Sequence, residues 1–128
     1  MQITWQVRAV ACLAEAATGL GLLTAPSLLA VLLFGAELDG VGPSGFRVAG
    51  IALIALAVAC WPPGAPAGLR NAPYLGILLY NGMMTLFLAS YGLVIDEVGM
   101  LFWPACVAHF VLTIVLVITI RPSTRNAT

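Results

Sequence analysis

Glu15, Arg47, Tyr80, Asn81 and His109 are the side chains of this sequence whose types and spacing could do chemistry. Glu15 is the one ionisable residue between Val10 and Leu33, and it falls near the middle of that apolar run. A carboxyl at mid-bilayer costs about 2.5–3.5 kcal/mol on insertion scales, so it is rarely idle. A carboxyl and an imidazole together can bind and release a proton. Arg47 can pair with Glu15 or hold an anionic or carbonyl head group. Asn81 can orient either partner, and Tyr80 stands beside it in the chain. A quinone or lipid head group would suit this mixture of donors, aromatics and apolar walls. The bland reading is that a buried Glu–Arg or Glu–His pair only locks helix register, and that Asn81 bonds a neighbouring helix and nothing else.

The elements that must position these groups follow from composition. The chain has 128 residues, 62% hydrophobic and 8% charged, against about 25% charged in a soluble domain. Such a chain cannot cover its surface in water, so the sequence predicts one all-α integral membrane domain, 1–128. Four apolar stretches are each long enough to span about 30 Å of hydrocarbon. They cover about 5–24, 45–61, 72–94 and 100–120. Pro26 interrupts the first, because proline disfavours helix in the residue before it. The segment 27–34 then either extends the first helix or forms a short interfacial helix that Ser27 caps. Pro62 to Leu69 and the acidic stretch 35–44 read as loops.

Arginine placement sets the topology. With four spans, Arg8, Arg70, Arg121 and Arg125 share one side, while Glu37, Asp39, Asp96 and Glu97 share the other. Arg47 alone breaks the pattern. Both termini are therefore expected in the cytoplasm of a multi-pass inner-membrane protein. Trp5, Trp61, Tyr74 and Trp103 fall near span ends, where aromatic belts form. Short loops make neighbours antiparallel, which predicts an up-down four-helix bundle. Small-residue stripes at Ala11, Ala14, Ala17 and Gly21, and at Ala49, Ala52, Ala55 and Ala59, are expected to be the helix contacts.

Counting residues from the cytoplasmic ends places Glu15, Asn81 and His109 at nearly one depth, about 15 Å in. Arg47 enters from the outer end of its span and would have to reach down. Helical spacing extends each group into a stripe: Arg8, Cys12, Glu15 and Gly19; Tyr74, Asn81 and Thr85; Cys106, His109 and Thr113. Convergence of these stripes would give a partly polar interior inside an oily shell.

Other chemistries lack support. Cys12 and Cys106 lie below and above the common level, too far apart for one tetrahedral metal centre with Glu15 and His109. A single His is weak ground for haem, so no cofactor or metal is expected. Gly19-Leu20-Gly21 follows no strand and is no dinucleotide fingerprint. A formal net charge of zero gives no reason to expect nucleic acid. The three cysteines sit in apolar segments and read as packing residues. No catalytic motif is present, so the chain is not expected to be an enzyme.

The chain loosely resembles the small DoxX-like four-helix membrane proteins of bacteria. The likeness rests on a glycine-rich first helix followed by Pro26, then Arg47-Val48-Ala49-Gly50, Tyr80-Asn81 and His109. It implies a compact bundle, in some cases an accessory subunit of a quinone-linked oxidoreductase, and it carries over no catalytic residue. Leu13-Ala14-Glu15 is similar to the first-helix motif of the small multidrug resistance family. That likeness implies a proton-coupled transporter in which Glu15 alternately binds protons and substrate. The expectation is a membrane component that binds a lipid, quinone or similar ligand, alone, as a homo-oligomer or within a larger membrane complex. Proton-coupled transport is the alternative.

Overall fold

Five α-helices, and no strand among the described residues, make up the computed structural model, which describes residues 2–62 and 71–120. Helix α1 is Gln2–Thr24, α2 is Pro26–Phe34, α3 is Gly42–Cys60, α4 is Ala72–Val94 and α5 is Phe102–Ile118. Three segments, Trp5–Thr24, Gly42–Cys60 and Ala72–Val94, are long and apolar enough to cross a membrane. Helix α5 is equally apolar, but its 17 residues reach only about 26 Å at 1.5 Å per residue. Most of the Pro/Gly-rich loop, together with Arg70, Arg121 and Arg125, lies outside the described residues.

The segment after Pro26 is a helix of its own. Ala25 (φ −136°, ψ 58°) leaves the helical region, and Pro26 occupies the first turn of α2. Proline fits there because its missing N–H would be unpaired in any case. Ser27 makes no capping bond, contrary to expectation, since the proline has taken the start of the helix. The far end of α2 docks on the segment before α5. The backbone N–H groups of Gly99 and Leu101 donate to the carbonyls of Leu33 and Leu32, at 3.0 and 2.8 Å. These carbonyls end a helix and would otherwise lack partners. Any Cβ at position 99 would collide with the Leu32 carbonyl, so only glycine permits this approach.

Residue pairings give the helix directions. Trp5 donates through Nε1 to the Pro62 carbonyl, Arg8 reaches the Cys60 carbonyl, and Gly19 lies on Gly50, so α1 and α3 run antiparallel. Tyr74 bonds at Leu116 and Asn81 at His109, so α4 and α5 do the same. Arg8 lies over Tyr74 and Glu15 near His109, so α1 runs with α4 and against α5.

The tightest contact, between α1 and α3, uses little of the predicted alanine stripes, of which Ala11 alone is buried. Ala14, Ala17, Ala52, Ala55 and Ala59 face outward, whereas Ala11, Cys12, Gly19, Gly50, Leu53, Ala57 and Cys60 are buried. The register is set at Gly19 and Gly50. A Cβ on Gly19 would lie 2.7 Å from the Gly50 carbonyl oxygen, and one on Gly50 would lie 2.5 Å from that of Gly19. Two glycines facing each other admit a closer backbone approach than any alanine pair, so they claim the contact.

Candidate functional site

Three helices each turn one polar side chain inward at the same level. On α1 the buried face comprises Arg8, Ala11, Cys12, Glu15, Gly19 and Leu22, which recur at helical spacing. On α4 it comprises Tyr74, Ile77, Asn81 and Leu88, and on α5 Phe102, Cys106 and Leu116 with His109 partly buried between them. Glu15 is 1% exposed and Asn81 is fully buried.

The hydrogen bonds within this layer are directional. The Asn81 amide nitrogen donates to the Ile77 carbonyl at 2.9 Å, one turn back on α4. Its amide oxygen therefore faces the His109 ring, with Oδ1 2.9 Å from Nδ1. Glu15 Oε1 stands 3.8 Å from the same ring nitrogen, beyond hydrogen-bond range. The hydroxyl of Tyr80 and the amide of Asn81 neighbour the Glu15 carboxyl. Even so, neither Glu15 oxygen has a well-formed hydrogen bond. The Tyr80 ring meets the His109 ring edge to face, with centroids 5.8 Å apart.

A cavity of about 380 Å³ opens directly above this layer, toward α2. Tyr80 and His109 line it at the polar end, while Leu22, Leu29, Leu53 and Met84 are among its apolar walls. Thr18 and Leu22 continue the Glu15 face of α1 into the cavity wall, so the carboxyl lies one turn beneath it, behind Tyr80 and His109. Phe34 and Phe46 also line it, 6.3 Å apart between centroids. Phe34 is itself braced edge-on by Tyr91 and Phe102.

Below Glu15 the protein is sealed. Ala11, Cys12, Ala57, Cys60, Tyr74, Ile77 and Leu116 form one cluster, none more than 3% exposed. Beneath it Arg8 donates from Nη2 to the Cys60 carbonyl at 3.1 Å, and its guanidinium lies 5.9 Å from the Tyr74 ring centre. The carbonyl end of a helix is a favourable place for a cation. The Tyr74 hydroxyl donates to the Leu116 carbonyl and sits 2.8 Å from Thr119 Oγ1, tying α4 to α5.

The structure thus brings together Glu15, Tyr80, Asn81 and His109. It does not bring Arg47 to them. Arg47 is exposed in the second turn of α3, near the acidic-loop end. The level of Glu15 on α3 is that of Leu53, roughly 9 Å further along the axis at 1.5 Å per residue. The backbones of α1 and α3 meet at Gly19 and Gly50, between those levels. The buried arginine is Arg8, which the sequence placed on the Glu15 stripe but which read mainly as a topology marker. Tyr74, read as a belt residue, is fully buried. In each case the stripe at spacing three and four carried the signal. Cys12 and Cys106 lie in separate apolar clusters on opposite sides of Glu15, and no group of three or more metal-ligating side chains occurs among the described residues. Comparison with protein-family models, curated proteins and solved structures finds no match, so the reading of this site rests on its own geometry.

Proposed function

We propose that this chain is a four-span, up-down bundle of the bacterial inner membrane, with both termini cytoplasmic, that binds an amphiphile as a binding or accessory component. A lipid, a quinone or a similar ligand would lie with its tail along the walls of the cavity and its head at Tyr80 and His109. Helix α5 would make the fourth span, and α2 would lie at the outer surface. The arginine bias supports the orientation, and the antiparallel pairings support the bundle. The resemblance to DoxX-like proteins is consistent with this role.

One observation carries the reading: a cavity with apolar walls ends on an imidazole and a phenol, with a buried carboxyl behind them. Its volume falls in the usual range for small-molecule sites, about 300–1,000 Å³. The sealed cluster beneath Glu15 makes the site a blind pocket, which favours binding over passage.

The transporter reading has its own supporting observation, the two Glu15 oxygens without well-formed hydrogen bonds, which leave that side chain able to exchange partners. The two readings differ in an experiment on the purified chain. Binding of a decyl-substituted benzoquinone or its hydroquinone should raise the melting temperature, and Ala105→Phe, which fills the cavity wall, should abolish the rise. Transport would instead give proton movement across the membrane of a sealed proteoliposome, lost in Glu15→Gln. Absence of any ligand-induced shift, with proton movement present, would reject the binding role.

A further inference from the structure

We infer that the cavity selects a head group that donates a hydrogen bond, a hydroxyl rather than a bare carbonyl. This deepens the amphiphile-binding reading and rests on it. The Ile77 carbonyl can only accept. The Asn81 side chain therefore turns its NH₂ toward Ile77, at 2.9 Å, and its carbonyl oxygen toward His109. An amide oxygen also only accepts, so the ring nitrogen facing it at 2.9 Å, Nδ1, must carry a hydrogen. In the neutral imidazole the other nitrogen, Nε2, is then a lone-pair acceptor.

No partner for Nε2 exists among the described residues, since every side-chain contact that His109 makes through a nitrogen uses Nδ1. His109 lines the cavity, and Nε2 is the ring nitrogen left for an occupant. The other polar groups at this end have the same bias. Both Glu15 oxygens lack well-formed hydrogen bonds, and Glu15 is 1% exposed. The Tyr80 hydroxyl neighbours Glu15, and with its hydrogen directed there it offers its own lone pairs to the cavity. His109 Nε2 and the Tyr80 oxygen, the groups that line the polar end, thus both present lone pairs to it. A carbonyl-only ring would set its oxygen against lone pairs and leave Nε2 without a partner. A hydroxyl donates to Nε2 and gives that nitrogen its partner. The ligand class is a hydroxyl-headed amphiphile, either a hydroquinone with an alkyl tail or a hydroxylated lipid.

The test measures binding to the full-length chain in detergent, without oxygen, of decyl-hydroquinone and of the matching decyl-benzoquinone. The two share ring and tail and differ in hydroxyl against carbonyl. A 1-monoacylglycerol and its methyl-ether analogue form the lipid arm. The expected result is hydroquinone binding about tenfold or more tighter than quinone, the size of one hydrogen bond to a buried group. His109→Phe should remove that preference by weakening the hydroquinone and not the quinone. His109→Gln, which supplies both a donor and an acceptor, should also flatten it, and helical circular dichroism establishes that each variant is folded. Preference for the monoacylglycerol over its ether, with no hydroquinone binding, supports the same chemistry with a lipid as source. Equal binding of hydroquinone and quinone, or tighter quinone binding, overturns the donor rule and leaves the amphiphile reading standing. No binding in either arm overturns both.

Discussion

His109 is tied to Asn81 and not to Glu15. Its Nδ1 lies 2.9 Å from Asn81 Oδ1 and 3.8 Å from Glu15 Oε1. The amide fixes the ring, and the carboxyl stands beside it without a well-formed hydrogen bond. This division of labour makes Asn81 the positioning group and Glu15 the group with something left to do.

Nitrogen-15 spectra of the histidine-labelled protein should show the hydrogen on Nδ1 of His109. In Asn81→Ala the ring loses its acceptor at Nδ1, and the hydrogen should move to Nε2, the form usual for unconstrained histidine side chains. An Nε2–H tautomer in the unmodified protein would contradict the hydrogen-bond assignment.

Glu15→Leu should stabilise the fold. The wild-type carboxyl is buried without well-formed hydrogen bonds, and such a group costs about 1–3 kcal/mol. The leucine removes that cost, and His109 keeps its bond to Asn81. Thermal unfolding in detergent reads the difference. A lower midpoint would mean that the carboxyl anchors a network after all, with Tyr80 as its nearest candidate.

Gly50→Val should destabilise by about 1–3 kcal/mol or more, the usual cost of overpacking. Its side chain would have to displace the Gly19 carbonyl or push α1 away from α3. By contrast Ala55→Val, on an outward-facing position of the same helix, should leave the midpoint nearly unchanged. Equal effects at the two sites would refute the register described above.

Tyr74→Phe removes the hydroxyl that joins α4 to α5 at Leu116 and Thr119. The Leu116 carbonyl keeps the Thr119 hydroxyl as a donor at 2.9 Å, so the loss should be modest, about 1 kcal/mol. Ligand binding should be unaffected, because Tyr74 belongs to the sealed cluster below Glu15 and not to the cavity. A matching loss of affinity would show that the two regions are coupled.

Gly99→Ala should undock the end of α2. The added carbon meets the Leu32 carbonyl, and the paired bonds to Leu32 and Leu33 cannot both survive. Helices α1, α3, α4 and α5 do not depend on those bonds, so helical content should stay close to wild type. Proteolysis or amide exchange at 26–34 should rise sharply, and a bound amphiphile should dissociate faster, since Leu29, Leu33 and Phe34 line its cavity.

The sequence by itself determined the apolar helices, their breaks and the common depth of Glu15, Asn81 and His109. These are consequences of composition, proline chemistry and the helical rise, all of which act locally along the chain. It also placed Arg8, Cys12, Glu15 and Gly19 on one face, because spacing alone decides that. Only the tertiary structure decided which face meets which. Alanine stripes and glycine stripes look alike as small residues, but the backbone approach at Gly19 and Gly50 needs both partners at once. That one contact set the α1–α3 register, left Arg47 outside and turned Ala52, Ala55 and Ala59 outward. The orientation of the Asn81 amide, the unused nitrogen of His109 and the blind cavity above Glu15 likewise depend on atoms from separate helices arriving at one place. No single segment contains that information.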